Sequence, residues 1–353
     1  MCTHDGSLTP TKLATPSISR RGFIRSSGAM TLTMAVGAGL CGGGAHAAEG
    51  SIRSTHGAGF CNLNLFLAHA EQLAAEDGLA IEFINTPTFA DQVAFLGSGQ
   101  VDIGLTPYTS FMALYDAGVP LKIVAGGGIE GCGLVAQPGL DTAEKLKGKT
   151  LGTFQMDTLE VMPYDWLKRN GVSFADVTVR YMGGMAEAVE VFKAGGLDFF
   201  CTIEPYASSI INDVPGSVML TDGTDMYGAG YTDCVLASGD ALIEQRPDAL
   251  KALIKAMMKA QRMAEADSEA ALGKVVGAYY KTSMDNARAA MAKQPAVVDA
   301  RSQTDFILER VQSVAEMGYI KKLPTRDAID WTLLEEVIAE NPELYASLKY
   351  KSA

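Results

Sequence analysis

From residue 51 onward, apolar positions along this chain fall into two alternating rhythms. Short runs at 52–56, 79–84, 101–105 and 121–125 have the length and composition of strands, and stretches with helical spacing separate them. Leu63, Phe66, Leu67, Ala70, Leu73 and Ala74 share one helical stripe, so a helix is predicted over 63–77. Asn62 or Asn64 is placed to cap it, and Gly78 to stop it. Further helices are predicted over 88–97 and 107–117. Asp102 falls inside a strand region and needs a nearby partner or a place at the strand edge.

The cycle restarts after a crossing strand at 133–136. Strands are expected at 149–154, 177–181, 197–201 and 217–220, with helices over 157–170 and 184–194. A strand at 231–238 can return the chain to the first set. Beyond residue 241 the pattern turns helical. Pro247 suits a first helical turn, Leu250, Leu253, Ile254 and Met257 form a buried stripe, and helices are expected over 298–317 and 326–340. Such alternation predicts helix-covered, mainly parallel sheets. The expected architecture is α/β with two lobes, a central cleft and a helical C-terminal region. Lobe 1 comprises 48–134 plus 236–353, lobe 2 comprises 135–235, and the crossings lie near 133–136 and 234–237. Open sheets of this kind bind ligands beyond the C-terminal ends of their strands.

The N-terminus changes the picture of where the chain works. Residues 19–25 read SRRGFIR, a Gly- and Ala-rich run extends over 28–40, and Ala-His-Ala follows at 45–47. Paired arginines, a short apolar region and a small-residue exit describe a twin-arginine signal peptide over 1–47. Its apolar run is shorter than the roughly 20 residues of a spanning helix, and the mature chain is expected not to span a membrane. Bulky Leu40 before Cys41 argues against a lipid anchor there. Removing the leader deepens the formal net charge from −12 to −15. That charge disfavours nucleic acid and anionic lipid as partners. An apolar content of 48% is ample for a large core, and disorder is excluded for the bulk of the chain.

Several segments carry a family resemblance: FLGSGQVDIGLTP at 95–107, LKIVA at 121–125, LKGKTLGTF at 146–154 and GGMAEAVEVFKAGGLDFFCTIEPY at 183–206. The chain resembles periplasmic solute-binding proteins of the nitrate/sulfonate/taurine type, including their thiamine-pyrimidine-precursor-like (NMT1/THI5-like) members. The resemblance covers nearly all of the mature chain. It implies a type II periplasmic-binding-protein-like fold, a periplasmic location and delivery of a small solute to an ABC-type permease, and we expect a monomer. It also implies site loops containing Phe60, Cys61 and Asn62, then Thr106 and Tyr108. In the second lobe the matching places are Phe154, Gln155 and Asp157, then Cys201, Glu204 and Tyr206. Backbone N–H groups opening the helices at 157 and 184 favour any negative ligand atom.

Charge and cysteines qualify that picture. Arg and Lys are scarce in these loops, whereas Glu130, Asp157, Glu160, Glu204, Asp222, Asp225 and Asp233 are frequent. A sulfonate or phosphate is normally met by Arg or aligned N–H donors, so a neutral or cationic, partly aromatic solute is expected. Four mature cysteines, Cys61, Cys132, Cys201 and Cys234, lie in or beside cleft segments. Their spacings of 71, 69 and 33 residues match no compact zinc signature. Disulfides or inert packing, thiol contact with a ligand, and a Cu or Zn site formed by Cys61, Cys132, Met156, Cys201 and Cys234 all remain open. No cofactor is required by the main reading. An enzyme related to thiamine-pyrimidine synthases is the remaining alternative, with His56 near Cys61 as a conceivable pair. The chain lacks a nucleophile elbow, phosphate loop or dinucleotide fingerprint, and Gly126–Gly128 has no accompanying Lys. No catalytic residue is assigned, and a non-enzymatic role is expected.

Overall fold

The computed structural model describes residues 50–351, so the expected signal peptide and Cys41 lie outside the described residues. The chain builds two five-stranded sheets. The first contains Ser51–Thr55 (β1), Ala80–Phe83 (β2), Ile103–Pro107 (β3) and Leu121–Ile129 (β4). The second contains Cys132–Ala136 (β5), Thr150–Thr153 (β6), Thr178–Tyr181 (β7), Phe199–Ile203 (β8) and Val218–Thr221 (β9). Thr232–Gly239 (β10) then returns to the first sheet. Strand orders are β2-β1-β3-β10-β4 and β7-β6-β8-β5-β9. Within each sheet one strand reverses: β10 runs antiparallel to β3 and β4, and β5 antiparallel to β8.

The crossings differ from expectation. Residues 133–136 lie inside β5 and 234–237 inside β10. The chain changes sheet at Glu130 and Gly131, both at positive φ, and again between β9 and β10. A ladder-bonded strand cannot absorb the backbone rotation that a crossing needs, whereas a turn can. The strand expected at 101–105 is displaced to β3 because the N–H groups of Gln100 and Val101 close the preceding helix on Phe95 O. Asp102 finds its partner in Arg53, at 2.8 Å.

Helices cover both sheets. Leu63–Ala70 (α1), Phe89–Gly97 (α2) and Tyr108–Asp116 (α3) belong with the first. Thr158–Arg169 (α4), Met185–Lys193 (α5), Tyr206–Asp213 (α6) and the short Thr224–Tyr227 (α7) belong with the second. The stripe expected over 63–77 is continuous helix only to Ala70; Gln72 at φ 51° breaks it, and a 3-10 turn follows. Asn62 and Asn64 do not cap α1. Asn62 braces its own loop, and Asn64 Nδ2 donates to Ala296 O. Capping does act elsewhere: Thr88 and Asp91 form a reciprocal box at α2, and Asp157 Oδ1 accepts from Leu159 N at α4.

The helical C-terminal region comprises Asp240–Gln245 (α8), Pro247–Ala266 (α9), Ser268–Val275 (α10), Met284–Lys293 (α11), Thr304–Glu316 (α12), Thr332–Glu340 (α13) and Pro342–Ala346 (α14). Leu250, Leu253, Ile254 and Met257 of α9 pack with Leu63, Phe66 and Leu67 of α1 in one large core. Another helix reaches further: Ile307, Val311 and Val314 of α12 share a core with Phe111 of α3 and Val161 of α4. Among the described residues, no helix is long and apolar enough to cross a membrane.

Candidate functional site

Where the strand tips of the two sheets face each other, a cavity of about 130 Å³ remains. Gly57, Ala58, Gly59, Cys61, Asn62, Asp233 and Cys234 line it from the first sheet's side; Phe154, Asp157, Gly183, Gly184, Met185 and Ile203 line it from the second's. Larger hollows of about 420 and 490 Å³ lie on the helical face, lined mainly by helix surface, and hold no buried charge cluster.

The glycine run in β4 explains how the cysteines reach the cavity. A Cβ on Gly128 would stand 2.7 Å from Cys61 Cβ, and one on Gly127 2.7 Å from Leu105 Cδ2 and 3.3 Å from Cys234 Cβ. The run is a bare stretch of strand on which two cysteine-bearing segments rest. Gly59 allows a similar approach across the cleft, its Cβ position lying 2.9 Å from Ile203 Cδ1.

Two carboxylates are enclosed here, Asp157 with 5% and Asp233 with 1% of its surface exposed. Their partners are neutral. Thr158 Oγ1 lies 3.0 Å from Asp157 Oδ1 and 2.6 Å from Asp233 Oδ1, and Gln294 Nε2 donates to Asp233 Oδ2 at 3.2 Å. Burial, and then the charge of Asp233, push the Asp157 carboxyl up to about 7. Burial likewise raises Asp233. No Lys or Arg lines the cavity among the described residues.

All four cysteines among the described residues are free and buried. Cys61 Sγ and Cys234 Sγ lie 2.9 Å apart, and Cys234 Sγ lies 3.1 Å from Asp233 Oδ2. Cys132 Sγ approaches the other oxygen of Asp233 at 3.5 Å from the second sheet. The contact with Cys234 works to lower the Cys61 thiol, but burial beside Asp233 and Asp157 outweighs it and leaves the thiol raised. Cys201, on β8 opposite Leu134, sits in the second lobe's apolar core.

Of the residues implied by resemblance, Cys61, Asn62, Phe154 and Asp157 line the cavity. The others are placed elsewhere. Phe60 is fully buried and stacks on Tyr280 at 4.4 Å, and Tyr108 packs edge-on to Phe306. Thr106 pairs with Val235 along β3. Gln155 is exposed. Glu204 is held by Ser208 N and Oγ and by Lys293, and Tyr206 opens α6. His56 rests edge-on between Phe66 and Phe83, while Cys61 makes its contacts with Cys234 and Asn62. Met156, at φ 62°, presents its carbonyl to the Thr109 and Ser110 hydroxyls.

Gly183 and the Thr88–Phe89 turn are lining residues not selected from the sequence. Asp233 was counted among the acids of the candidate loops, without a place in the site.

A two-lobed α/β scaffold with polar groups converging between its strand tips defines a class, the periplasmic-binding-protein-like fold. The sequence profile of the NMT1-like family matches residues 56–276, more than half of the chain, and this protein belongs to that family. The fold is similar to the ligand-binding component of an ABC-type import system from Staphylococcus aureus with zinc bound. That chain is 18% identical with a TM-score of 0.70, over 82% of this chain and 99% of that one. It is also similar to the aliphatic sulphonate-binding protein SsuA from Escherichia coli, at 18% identity and TM-score 0.67, over 79% and 92%. The nitrate-binding protein NrtA from Synechocystis PCC 6803 superimposes with a TM-score of 0.72 at 14% identity, over 85% and 91%. At such identities the likeness concerns the fold. No curated protein matches the chain.

Proposed function

We propose that this protein is an extracytoplasmic solute receptor. Its twin-arginine leader directs it to the periplasm, where, as a monomer, it clasps a small neutral or cationic, partly aromatic organic solute and presents it to an ABC-type permease. Family membership and the receptor fold support the general role. One observation carries the solute class: the cavity encloses Asp157 and Asp233 with neutral partners and no lining Lys or Arg. A buried carboxylate without a positive partner favours a ligand that brings positive charge or hydrogen-bond donors. The proteins named above as sulphonate- and nitrate-binding take anions, so this chain departs from them in ligand charge. Phe89 and Phe154, 6.1 Å apart between centroids, offer an aromatic wall. The cavity is smaller than the roughly 300–1,000 Å³ of sites for drug-sized ligands, which suits a compact solute. The reading assigns no catalytic step to the chain.

A thermal-shift screen over aromatic amines, pyrimidines and sulfonates tests the solute class. We expect amines or pyrimidines to raise Tm and the binding compound to shrink the radius of gyration in solution scattering. Stabilisation by sulfonates alone overturns the solute class, and an unchanged scattering profile at saturation overturns closure.

A further inference from the structure

We infer that Cys61, Asp233 and Cys234 form a binding site for a thiophilic d10 metal ion, Cu(I) or Zn(II), at the back of the cleft. The site rests on reading the cleft as a binding site, and does not depend on which organic solute enters it. One ligand atom from each residue, two Sγ and a carboxylate oxygen, lies within 4.8 Å of the others, and all three residues are buried. Two thiolates and a carboxylate are a donor set that Zn(II) accepts, and the two thiolates alone suit Cu(I).

The backbone is shaped to assemble this set. Consecutive residues of a strand point to opposite faces, so Asp233 and Cys234 should diverge. The ladder between β10 and β4 is irregular from Thr232 to Cys234 and again from Cys234 to Val235. Such bulges re-aim side chains beside functional sites. Opposite them, Gly127 and Gly128 leave room for Cys234 and Cys61. Thr158 Oγ1 and Gln294 Nε2 fix the orientation of Asp233, and outer hydrogen bonds of this kind tune metal ligands. Binding requires both thiols to release their protons. The sulfurs, 2.9 Å apart, must separate to ~3.8 Å to embrace a tetrahedral ion at Zn–S distances of about 2.3 Å.

The same thiol pair could instead close as a disulfide under an external oxidant. Asp233 argues for the ion. A disulfide would leave its buried carboxyl against Cys234 Sγ with no positive partner, whereas a metal ion would take it as a third ligand.

The test uses the full chain, reduced and stripped of metal under anaerobic conditions, then offered Cu(I), Zn(II) or Cd(II). We expect one equivalent to remain after gel filtration and Cd(II) to develop thiolate-to-metal absorption from two thiolates. Cys61→Ser, Cys234→Ser and Asp233→Asn should each weaken retention at least tenfold, whereas Cys201→Ser should retain metal like the unaltered chain. The Cd(II) absorption of the unaltered chain needs no variant to fold. Absence of retained metal in the reduced protein overturns the proposal, as does equal retention by a Cys61→Ser/Cys234→Ser double variant. A Cys61–Cys234 disulfide that persists under reducing conditions overturns it too. If an organic cation stabilises the metal-free protein while no metal is retained, the metal site falls and the receptor reading stands; failure of both probes sinks both.

Discussion

Asp157 joins structure to chemistry at a single residue. It caps α4 through Leu159 N, yet its burial beside Asp233 and Glu160 raises its carboxyl to about 7. A free Asp titrates near 4, so between about 4 and 7 the folded chain binds a proton that the unfolded chain has lost. Stability from this group is therefore greatest at low pH and declines as pH rises through that window. Asn is an equally good cap and does not titrate. The unaltered protein, compared with Asp157→Asn by denaturant unfolding, should lose relative stability as pH rises from about 4 to about 7. The slope should approach at most ~1.4 kcal/mol per unit. A flat difference would place the carboxyl in solvent. Gly128 is the second decisive position. Its replacement by Ala forces a methyl to within 2.7 Å of Cys61 Cβ, and overpacking of this kind costs about 1–3 kcal/mol. Gly128→Ala should lower the free energy of unfolding by that amount, read as an earlier midpoint in urea, and also weaken ligand binding, because Cys61 is the atom group displaced.

At the scale of elements, the approach of the two lobes is written into α3 and the turn before α4. Met156 holds a left-handed backbone, a conformation that costs a non-glycine residue about 1–2 kcal/mol, and the Thr109 and Ser110 hydroxyls both donate to its carbonyl. These bonds join the first lobe to the second. A Thr109→Val/Ser110→Ala variant should lose roughly 1–3 kcal/mol from the closed arrangement. It should bind ligand more weakly in calorimetry and show a larger radius of gyration without ligand. Unchanged affinity would mean that closure is held elsewhere, for example by Asp165 of α4, which meets Ser313 and Arg310 of α12. Most elements were legible from local pattern. The helix at 88–97, the one opening at Pro247 and the strands near 52, 80 and 150 follow from periodicity and caps. The long helix over 63–77 was over-read because its stripe continues past Gln72, where the backbone turns aside. Helices α10 and α11 escaped notice since Ala-rich segments carry a weak apolar stripe.

For the molecule as a whole, the two sheets, their cleft and the helical tail were readable because a βα alternation has few ways to bury its faces. The C-terminal helices are more than a cover for the first lobe. With α12 packed on both α3 and α4, and Lys293 of α11 on Glu204, they tie both lobes from outside the cleft. Local pattern determined most of the strand and helix segments, that the core is large, and that four cysteines and several acids lie near strand ends. Only the tertiary structure decided which of them meet. Cys61 and Cys234 are 173 positions apart, and Asp157 caps a helix of the second lobe while Asp233 sits on a strand of the first sheet. Periodicity reports the face on which a residue lies, while long-range register, the irregular ladder of β10 and the bare glycines of β4 determine which faces converge.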